Sequence, residues 1–274
     1  MKPMKKTVLI SFVMLLAFSI FLAGCGGSST QPTAAKDEIP ADIKAIKDRG
    51  VFKAGVKVDV PKFGYKDPKT GNVEGFEIDL VKALAKKILD DENKIELTGT
   101  VAKTRGPLLD NGDVDVVLAT FTITEERKNS YNFSDPYYTD GVALMVKKAS
   151  GAQGLKDLAG KKIGVAQSST SRKAIQEAAD QQGIKVSFLE FGTYAEVKAA
   201  LDSGRVDCFS VDAAILFGYL DDSTIILGER FAPQEYGAAT KKSNTALTKL
   251  VNDTLNDMKQ SGEIDKLLAK WGLK

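Results

Sequence analysis

Histidine is missing from this 274-residue chain, and its absence removes several classes of chemistry at once. Without an imidazole there can be no Ser-His-Asp triad, no His-activated cysteine nucleophile and no zinc site with histidine ligands. The two cysteines, Cys25 and Cys208, are too few for a disulfide framework or a four-thiolate metal site. We therefore expect neither a metal nor a cofactor, and an enzyme would have to work with carboxylates, lysines and hydroxyls alone.

An excess of one charge is also missing. The chain has 38 lysines and arginines against 36 acidic residues, a formal net charge of +2. No long basic run with interleaved aromatic residues is present, so we expect no nucleic-acid partner. Hydrophobic residues at 43% and charged residues at 27% are typical of a globular protein, and the length favours two domains.

The first 24 residues predict a signal peptide. Lys2, Lys5 and Lys6 precede an apolar run over residues 8–23, which is short beside the about twenty residues of a spanning helix. The run ends in LAGC (22–25), which resembles a bacterial lipobox and implies that Cys25 receives a diacylglyceride. An ordinary N-terminal membrane anchor with an incidental cysteine is the alternative. Residues 25–37 contain GGSSTQPT and predict a flexible, lipid-tethered linker.

Beyond the linker, strand and helix patterns alternate along the chain. The predicted strands cover residues 51–58, 94–101, 114–119, 162–167, 186–191 and 206–211. The predicted helices cover residues 76–89, 106–111, 171–182 and 194–203, followed by a helical tail over 245–271. Strands separated by helices at this spacing predict an α/β fold with parallel sheets and helices on both faces.

Five motifs follow one another in a recognisable order. They are GFEIDL (75–80), FTITEERK (121–128), NFSDPYY (132–138), IGVAQSST (163–170) and KWG (270–272). Together they resemble the solute-binding proteins of polar amino acid ABC importers, over residue 42 to the end of the chain. The segments GVK (55–57) and AKTRGPLLDNG (102–112) further resemble the aspartate/glutamate-binding branch.

The resemblance implies a two-lobed, periplasmic-binding-protein-like α/β fold whose lobes close on the ligand about two hinge crossings. Lobe one is expected over residues 38–137 and 238–274, and lobe two over 142–232. The crossings are expected near residues 138–141 and 233–237. The protein would be a non-enzymatic, extracytoplasmic monomer, lipid-anchored to the bacterial cell membrane, that delivers an acidic amino acid to the permease of an importer.

Three residues are expected to bind the α-carboxylate of the ligand. The guanidinium of Arg127 can grip a carboxylate with two parallel hydrogen bonds. Ser169 and Thr170 precede the helix predicted from residue 171, where backbone amides favour an anion. The plainer alternatives are a solvated arginine for Arg127 and a helix cap for Thr170.

Three other residues are expected to bind the α-ammonium group. Asp212 follows a predicted strand and corresponds to the family's counter-charge for the ammonium, although it could also cap the helix that follows. Thr120 would contribute its backbone carbonyl and Thr122 its hydroxyl. All three would lie at carboxyl ends of strands, where open α/β sheets bind their ligands.

Lys57 and Arg105 are expected to define the side-chain pocket. Two further cations in a cleft that already holds Arg127 would repel one another unless the ligand brought a second carboxylate. This argument favours aspartate or glutamate over glutamine, arginine or lysine. The alternative for both residues is solvation at the surface. Phe121, with Phe63 and Tyr65, is a candidate to cover the aliphatic part of the ligand.

Other functions remain open at this point. Glutamine or another polar amino acid is the alternative ligand. Some relatives of the family resemble cyclohexadienyl or arogenate dehydratases, but such an enzyme needs a positioned general acid. No glutamate lies at the strand ends that form the predicted site. A sensor or adhesin role is compatible with ligand binding.

Overall fold

The structure, a computed structural model, describes residues 38–273. The predicted signal peptide (1–24), the linker (25–37) and the lipidation site at Cys25 lie outside the described residues. Between residues 38 and 273, no helix has both the length and the apolar character that crossing a membrane requires. The described chain is built on two central β-sheets, each flanked by helices.

The first lobe contains a five-stranded sheet. Its strands, in spatial order, are β5 (Ile95–Gly99), β1 (Phe52–Val56), β6 (Val116–Leu118), β14 (Ala239–Lys241) and β7 (Tyr131–Phe133). Its helices are α1 (Ala41–Arg49), α2 (Phe76–Leu89), α3 (Arg105–Asn111), α4 (Glu125–Ser130), α8 (Thr245–Gln260) and α9 (Glu263–Lys270). A small antiparallel sheet, formed by β2 (Asp59–Val60), β3 (Gly64–Lys66) and β4 (Val73–Glu74), lies between β1 and α2 in sequence.

The second lobe is built around a six-stranded sheet. Its main path runs through β10 (Ser187–Phe191), β9 (Lys162–Ala166), β11 (Cys208–Asp212), β8 (Tyr138–Lys147) and β12 (Thr224–Ile226). The sixth strand, β13 (Phe231–Tyr236), pairs with β8. The helices of this lobe are α5 (Ser171–Gln181), α6 (Tyr194–Asp202) and α7 (Ala213–Phe217).

Both sheets are mixed, which corrects the prediction of parallel sheets. The strands that alternate with helices are parallel, as β1 is to β5 and β6, and β9 is to β10 and β11. The antiparallel strands are those next to the connections between the lobes. β8 runs antiparallel to β11, and β14 runs antiparallel to β6 and β7. In both lobes, the strand that enters from the other lobe is antiparallel to neighbouring strands that follow a helix of the same lobe.

The two segments predicted as crossings lie side by side. Tyr138 pairs with Tyr236, and Asp140 pairs with Gln234, in an antiparallel ribbon formed by β8 and β13. A register shift between Phe231 and Pro233 interrupts this ladder near the second lobe. The boundaries of the lobes themselves stay a prediction.

Helix α2 has the predicted bounds and buries the predicted face. Leu80, Val81, Leu84 and Ile88 are all buried in the main hydrophobic core. The C-terminal tail differs from the prediction of one helical segment, because it divides into α8 and α9. Gly262, between them, has a left-handed backbone with φ of 73°, which a continuous α-helix cannot accommodate.

Gly75, the residue before α2, should tolerate no side chain. Its φ is 145°, and a Cβ atom would lie 2.1 Å from the carbonyl oxygen of Phe63. Gly71 also has a positive φ, of 74°, but its Cβ would meet nothing within 4 Å. We expect Gly71→Ala to lower the free energy of unfolding by about 1 kcal/mol, for backbone strain alone. Gly75→Ala should lower it by about 3 kcal/mol or more.

Urea denaturation of the two variants and the wild type tests this expectation. Equal losses of stability in Gly75→Ala and Gly71→Ala would show that the close approach to Phe63 is not what requires the glycine.

Candidate functional site

The predicted site residues converge on the cleft between the two sheets. Lys57 directly follows β1, and Thr120 and Thr122 follow β6. Asp212 ends β11, and Thr170 precedes α5 after β9. Because the carboxyl ends of parallel strands meet at one edge of a sheet, each lobe presents its polar residues toward the same opening.

The two lobes touch across this cleft. Arg127 Nη2 donates to the carbonyl of Ser168 at 3.0 Å. On the other side, the hydroxyl of Tyr219 donates to the carbonyl of Asp59 at 2.7 Å. These contacts join the first lobe to the second, so the structure is in a closed arrangement.

Phe121 lies between two arginines. Its ring centroid is 4.1 Å from Cζ of Arg105 and 4.8 Å from Cζ of Arg127. Burial lowers the pKa of Arg127 to about 9, and the charge of Arg105 adds to the effect. Each guanidinium interacts favourably with the ring face, but the two charges repel one another. An anionic group from a ligand would relieve this repulsion.

Gln234, which sequence reasoning missed, joins two of the predicted ligand residues. Its Oε1 accepts hydrogen bonds from the hydroxyl of Thr122 at 2.8 Å and from that of Thr170 at 2.6 Å. The Thr170 hydroxyl makes no capping bond to α5, so the helix-cap alternative is not what the structure shows. Since both hydroxyl protons point at Gln234, only the lone pairs of these oxygens remain for a ligand.

Ser169 and Thr120 both use their predicted ligand atoms within the protein. The amide and the hydroxyl of Ser169 both donate to the carbonyl of Ala166. The carbonyl of Thr120 accepts from Nη1 of Arg105 at 2.9 Å. A carbonyl oxygen has a second lone pair, so Thr120 keeps one acceptor site. Ser169 would have to exchange a partner to contact a carboxylate.

Asp212 is buried and is hydrogen-bonded to a tyrosine. The hydroxyl of Tyr236 donates to its Oδ2, and burial raises the pKa of this carboxyl to about 7. Its side chain does not cap α7. Instead, Oδ2 of Asp140 accepts from the backbone N–H of Ala214 in the first turn of that helix, at 2.7 Å. The structure therefore does not give the side chain of Asp212 the helix-capping role that was the alternative to ligand binding.

Lys57 and Arg105 are buried cations rather than solvated surface residues. Lys57 is 1% exposed, and its Nζ lies 2.9 Å from Oδ1 of Asp59 and 4.7 Å from the ring centre of Tyr194. Arg105 is 3% exposed, and its Nη1 donates to the carbonyls of Ala119 and Thr120. Burial lowers the pKa of both groups.

Of the aromatic residues expected to cover the aliphatic part of the ligand, Phe121 lies between the two arginines, whereas Phe63 belongs to the core. Phe63 is buried and packs edge-on against Tyr138 and Tyr236, with ring centroids 5.1 and 5.9 Å away. Phe63 therefore packs in the core against one tyrosine of each predicted crossing. Tyr194, which the sequence did not single out, faces Lys57 instead. Across residues 38–273, no cluster of three or more acidic or cysteine side chains could hold a metal ion.

Among the residues of the site that were not predicted, one could have been predicted from its neighbours in sequence and two could not. Asp59 stands two positions after Lys57, so the pairing of opposite charges could have suggested it. Gln234 lies 112 residues from Thr122 and 64 from Thr170, and Tyr236 lies 24 residues from Asp212, so neither carries a local signal.

The chain matches known proteins over most of its length. The model of the bacterial extracellular solute-binding proteins, family 3, matches residues 52–274. The chain belongs to this family. Membership confirms the predicted two-lobed fold and an extracytoplasmic solute-binding protein rather than an enzyme.

Individual relatives cover nearly the whole chain. The ABC transporter glutamine-binding protein GlnH of Bacillus subtilis is 41% identical over 271 residues, 98% of this chain and 97% of the relative. A glutamine-binding protein of Geobacillus stearothermophilus is 40% identical over 261 residues, covering 90% and 96%. The solved structure of an ancestral arginine-binding protein bound to glutamine is 39% identical, has a TM-score of 0.73, and the match covers 81% of this chain and 98% of that one.

If Asp212 binds the ammonium group of a ligand, as predicted, its raised pKa would make ligand affinity sensitive to pH. Burial raises this pKa to about 7, so the carboxyl of Asp212 takes up a proton below neutral pH. The protonated carboxyl lacks the negative charge that would bind an ammonium group. We expect the affinity for an amino acid to fall by up to about tenfold for each pH unit below 7, on account of this proton. Calorimetric titration between pH 5.5 and 8.5, at constant ionic strength, measures it. Constant affinity across this range would contradict the role of Asp212.

Proposed function

We propose that this protein captures an amino acid outside the cytoplasm, delivers it to an ABC importer, and prefers glutamine. Two relatives that are 41% and 40% identical are named as glutamine-binding, and one of them as part of an ABC transporter. The ancestral arginine-binding protein with glutamine in its site supports the same class of ligand. This choice replaces the expectation of glutamate or aspartate as the main ligand.

The pairing of Lys57 with Asp59 is the observation that carries the proposal. The acidic-ligand argument assumed that Lys57 and Arg105 lacked counter-charges. In the structure, Asp59 lies 2.9 Å from the ammonium of Lys57, and the charges of Asp212 and, to a smaller extent, Glu77 favour the charged form of Arg105. Because the protein supplies these acids itself, the ligand needs no second carboxylate. A carboxamide could donate to Asp59 and accept from Lys57.

An unpartnered donor in the predicted pocket is also compatible with an acidic amino acid, which stays the second candidate. Nε of Arg105 is buried and has no hydrogen-bond partner among residues 38–273. An unsatisfied buried donor is costly, and a carboxylate oxygen or an amide carbonyl could satisfy it. Glutamate, aspartate and glutamine all carry such an oxygen.

Closure of the lobes would trap the ligand. We propose lobe one over residues 38–137 and 238–274, lobe two over 142–232, and hinges at the paired crossings. Arg127 of the first lobe and Asp212 of the second would bind opposite ends of the zwitterion, so ligand favours the closed state. Transfer to the importer requires the permease to open this arrangement.

Asp59 should control the preference between an amide and an acid. In Asp59→Asn the ammonium of Lys57 loses its counter-charge, so a second carboxylate on the ligand becomes favourable. We expect wild-type protein to bind L-glutamine more tightly than L-glutamate or L-aspartate. Asp59→Asn should shift the ratio of affinities toward L-glutamate by roughly tenfold or more. Calorimetric titration with the three amino acids measures the ratios.

Asp67→Asn is the matched control for this change. Asp67 belongs to the turn after β3 and accepts from the backbone of Lys69 and Thr70, without contacting a cation of the site. Its replacement should leave the ratio unchanged. Wild-type preference for glutamate would refute the glutamine assignment, and an unchanged ratio in Asp59→Asn would refute the role of the ion pair.

We also propose that Cys25 is lipidated and tethers the protein to the cell membrane through residues 25–37. The Cys25→Ser variant should lose stable membrane association, since the hydroxyl cannot form the thioether to the diacylglyceride. Fractionation of cells expressing each form, followed by immunoblotting, measures the partition. If the variant sedimented with membranes as wild type does, the N-terminal segment would be an ordinary anchor.

A further inference from the structure

Glu77 is a buried glutamate. Its part in the proposed capture of a ligand has so far been limited to the effect of its charge on Arg105. Glu77 is the second residue of α2 and has no exposed surface. Its Oε1 accepts from the backbone N–H of Thr120 at 2.6 Å and from the hydroxyl of Tyr137 at 2.5 Å. Its Oε2 has no hydrogen-bond partner among the described residues. Such burial is unusual for a glutamate in the first turn of a helix.

The bond to Thr120 fixes a strained peptide of the ligand site. Thr120 has a φ of 47°, in the left-handed region that residues other than glycine avoid. Its carbonyl accepts from Arg105, so the orientation of this peptide also determines where that guanidinium lies. Two residues further on, the carbonyl of Thr122 accepts from Nη1 of Arg127 at 2.7 Å. A change in the Thr120 backbone would therefore displace donors on both sides of Phe121.

The bond to Tyr137 reaches the connection between the lobes. Tyr137 directly precedes β8, whose first residues form one of the predicted crossings. Its backbone N–H donates to the carbonyl of Tyr236 at the end of β13, the other crossing, at 2.9 Å. Tyr236 in turn donates its hydroxyl to Asp212. One carboxylate oxygen thus contacts both the ligand-site turn and the strands about which the lobes would move.

We infer that Glu77 is a positioning residue for ligand binding, which holds the Thr120 peptide and the start of the first crossing in one fixed relation. It does not contact the ligand. It acts on Arg105 and Arg127 through the backbone between residues 119 and 122, and on the hinge through Tyr137. Arg127 and the hinge serve every amino acid, so the loss of Glu77 should weaken L-glutamine and L-glutamate alike, apart from a smaller difference that Arg105, in the predicted side-chain pocket, contributes.

Two substitutions separate the hydrogen bonds from the volume of the side chain. Glu77→Leu keeps the volume and removes the acceptor, and should weaken binding of L-glutamine and of L-glutamate roughly 10- to 100-fold. Glu77→Gln keeps an acceptor oxygen, and should retain affinity within about tenfold of wild type. Tyr137→Phe removes one of the two donors. Combined with Glu77→Gln, it should weaken binding by less than the product of the single effects.

Asp79→Asn is the matched control. Asp79 lies in the same turn of α2, and its Oδ2 accepts from Lys270 and from Trp271, away from the cleft. This variant should lower the melting temperature and leave both dissociation constants unchanged. Melting temperature and affinity are measured on every variant, by thermal denaturation and calorimetry.

The outcomes distinguish this inference from the choice of ligand. If Glu77→Leu and Tyr137→Phe lower the melting temperature but bind both amino acids as wild type does, Glu77 is merely structural and the inference fails. Tyr137→Phe decides the matter alone if Glu77→Leu does not fold. Loss of binding for one amino acid, with wild-type affinity for the other, would place Glu77 in side-chain recognition instead. A wild-type preference for glutamate would overturn the glutamine proposal alone.

Discussion

Charge compensation without water is the constraint on which the closed cleft depends. Lys57, Arg105 and Asp212 are almost fully buried, and a buried charge is tolerated only when opposite charges or hydrogen bonds replace its hydration. For Lys57 the protein supplies Asp59 as a counter-charge. For Arg105 it supplies two backbone carbonyls and the charge of Asp212, with a smaller effect from Glu77. Under the proposed function, the same compensation bears on selectivity, because it determines how much charge a ligand must bring.

Three of the five non-glycine residues with a positive φ between residues 38 and 273 provide acceptors beside the same cleft. Thr120, Ser168 and Ala232 all have a positive φ although none is glycine, with values of 47°, 60° and 42°. Each provides a carbonyl for a side chain of the site: Thr120 for Arg105, Ser168 for Arg127, and Ala232 for Gln234. Strained residues of this kind persist when the surrounding contacts stabilise them, and they turn polar groups toward directions that regular strands do not offer.

Much of the fold was predictable from local patterns. Helix α2 begins and ends where its apolar periodicity predicts, because its buried face is encoded within 14 residues. The mixed direction of the sheets was not predictable in this way. It depends on where β8 and β14 insert after the chain passes between lobes, and that choice involves strands distant in sequence. The division of the tail at Gly262 was visible as a glycine, but its left-handed conformation was not.

For the site, the sequence by itself determined which chemical groups stand at the ends of the strands, and the order of motifs that relates the chain to its family. Only the tertiary structure decided their partners. Asp212 read alone could cap the helix that follows it, but Tyr236, 24 residues away, donates a hydrogen bond to it. Glu77 read alone is a helix-dipole acid, but burial places it behind Thr120. The reason is physical: the energy of a charge or a hydrogen bond depends on the groups within a few ångströms, and folding brings those groups together from distant positions.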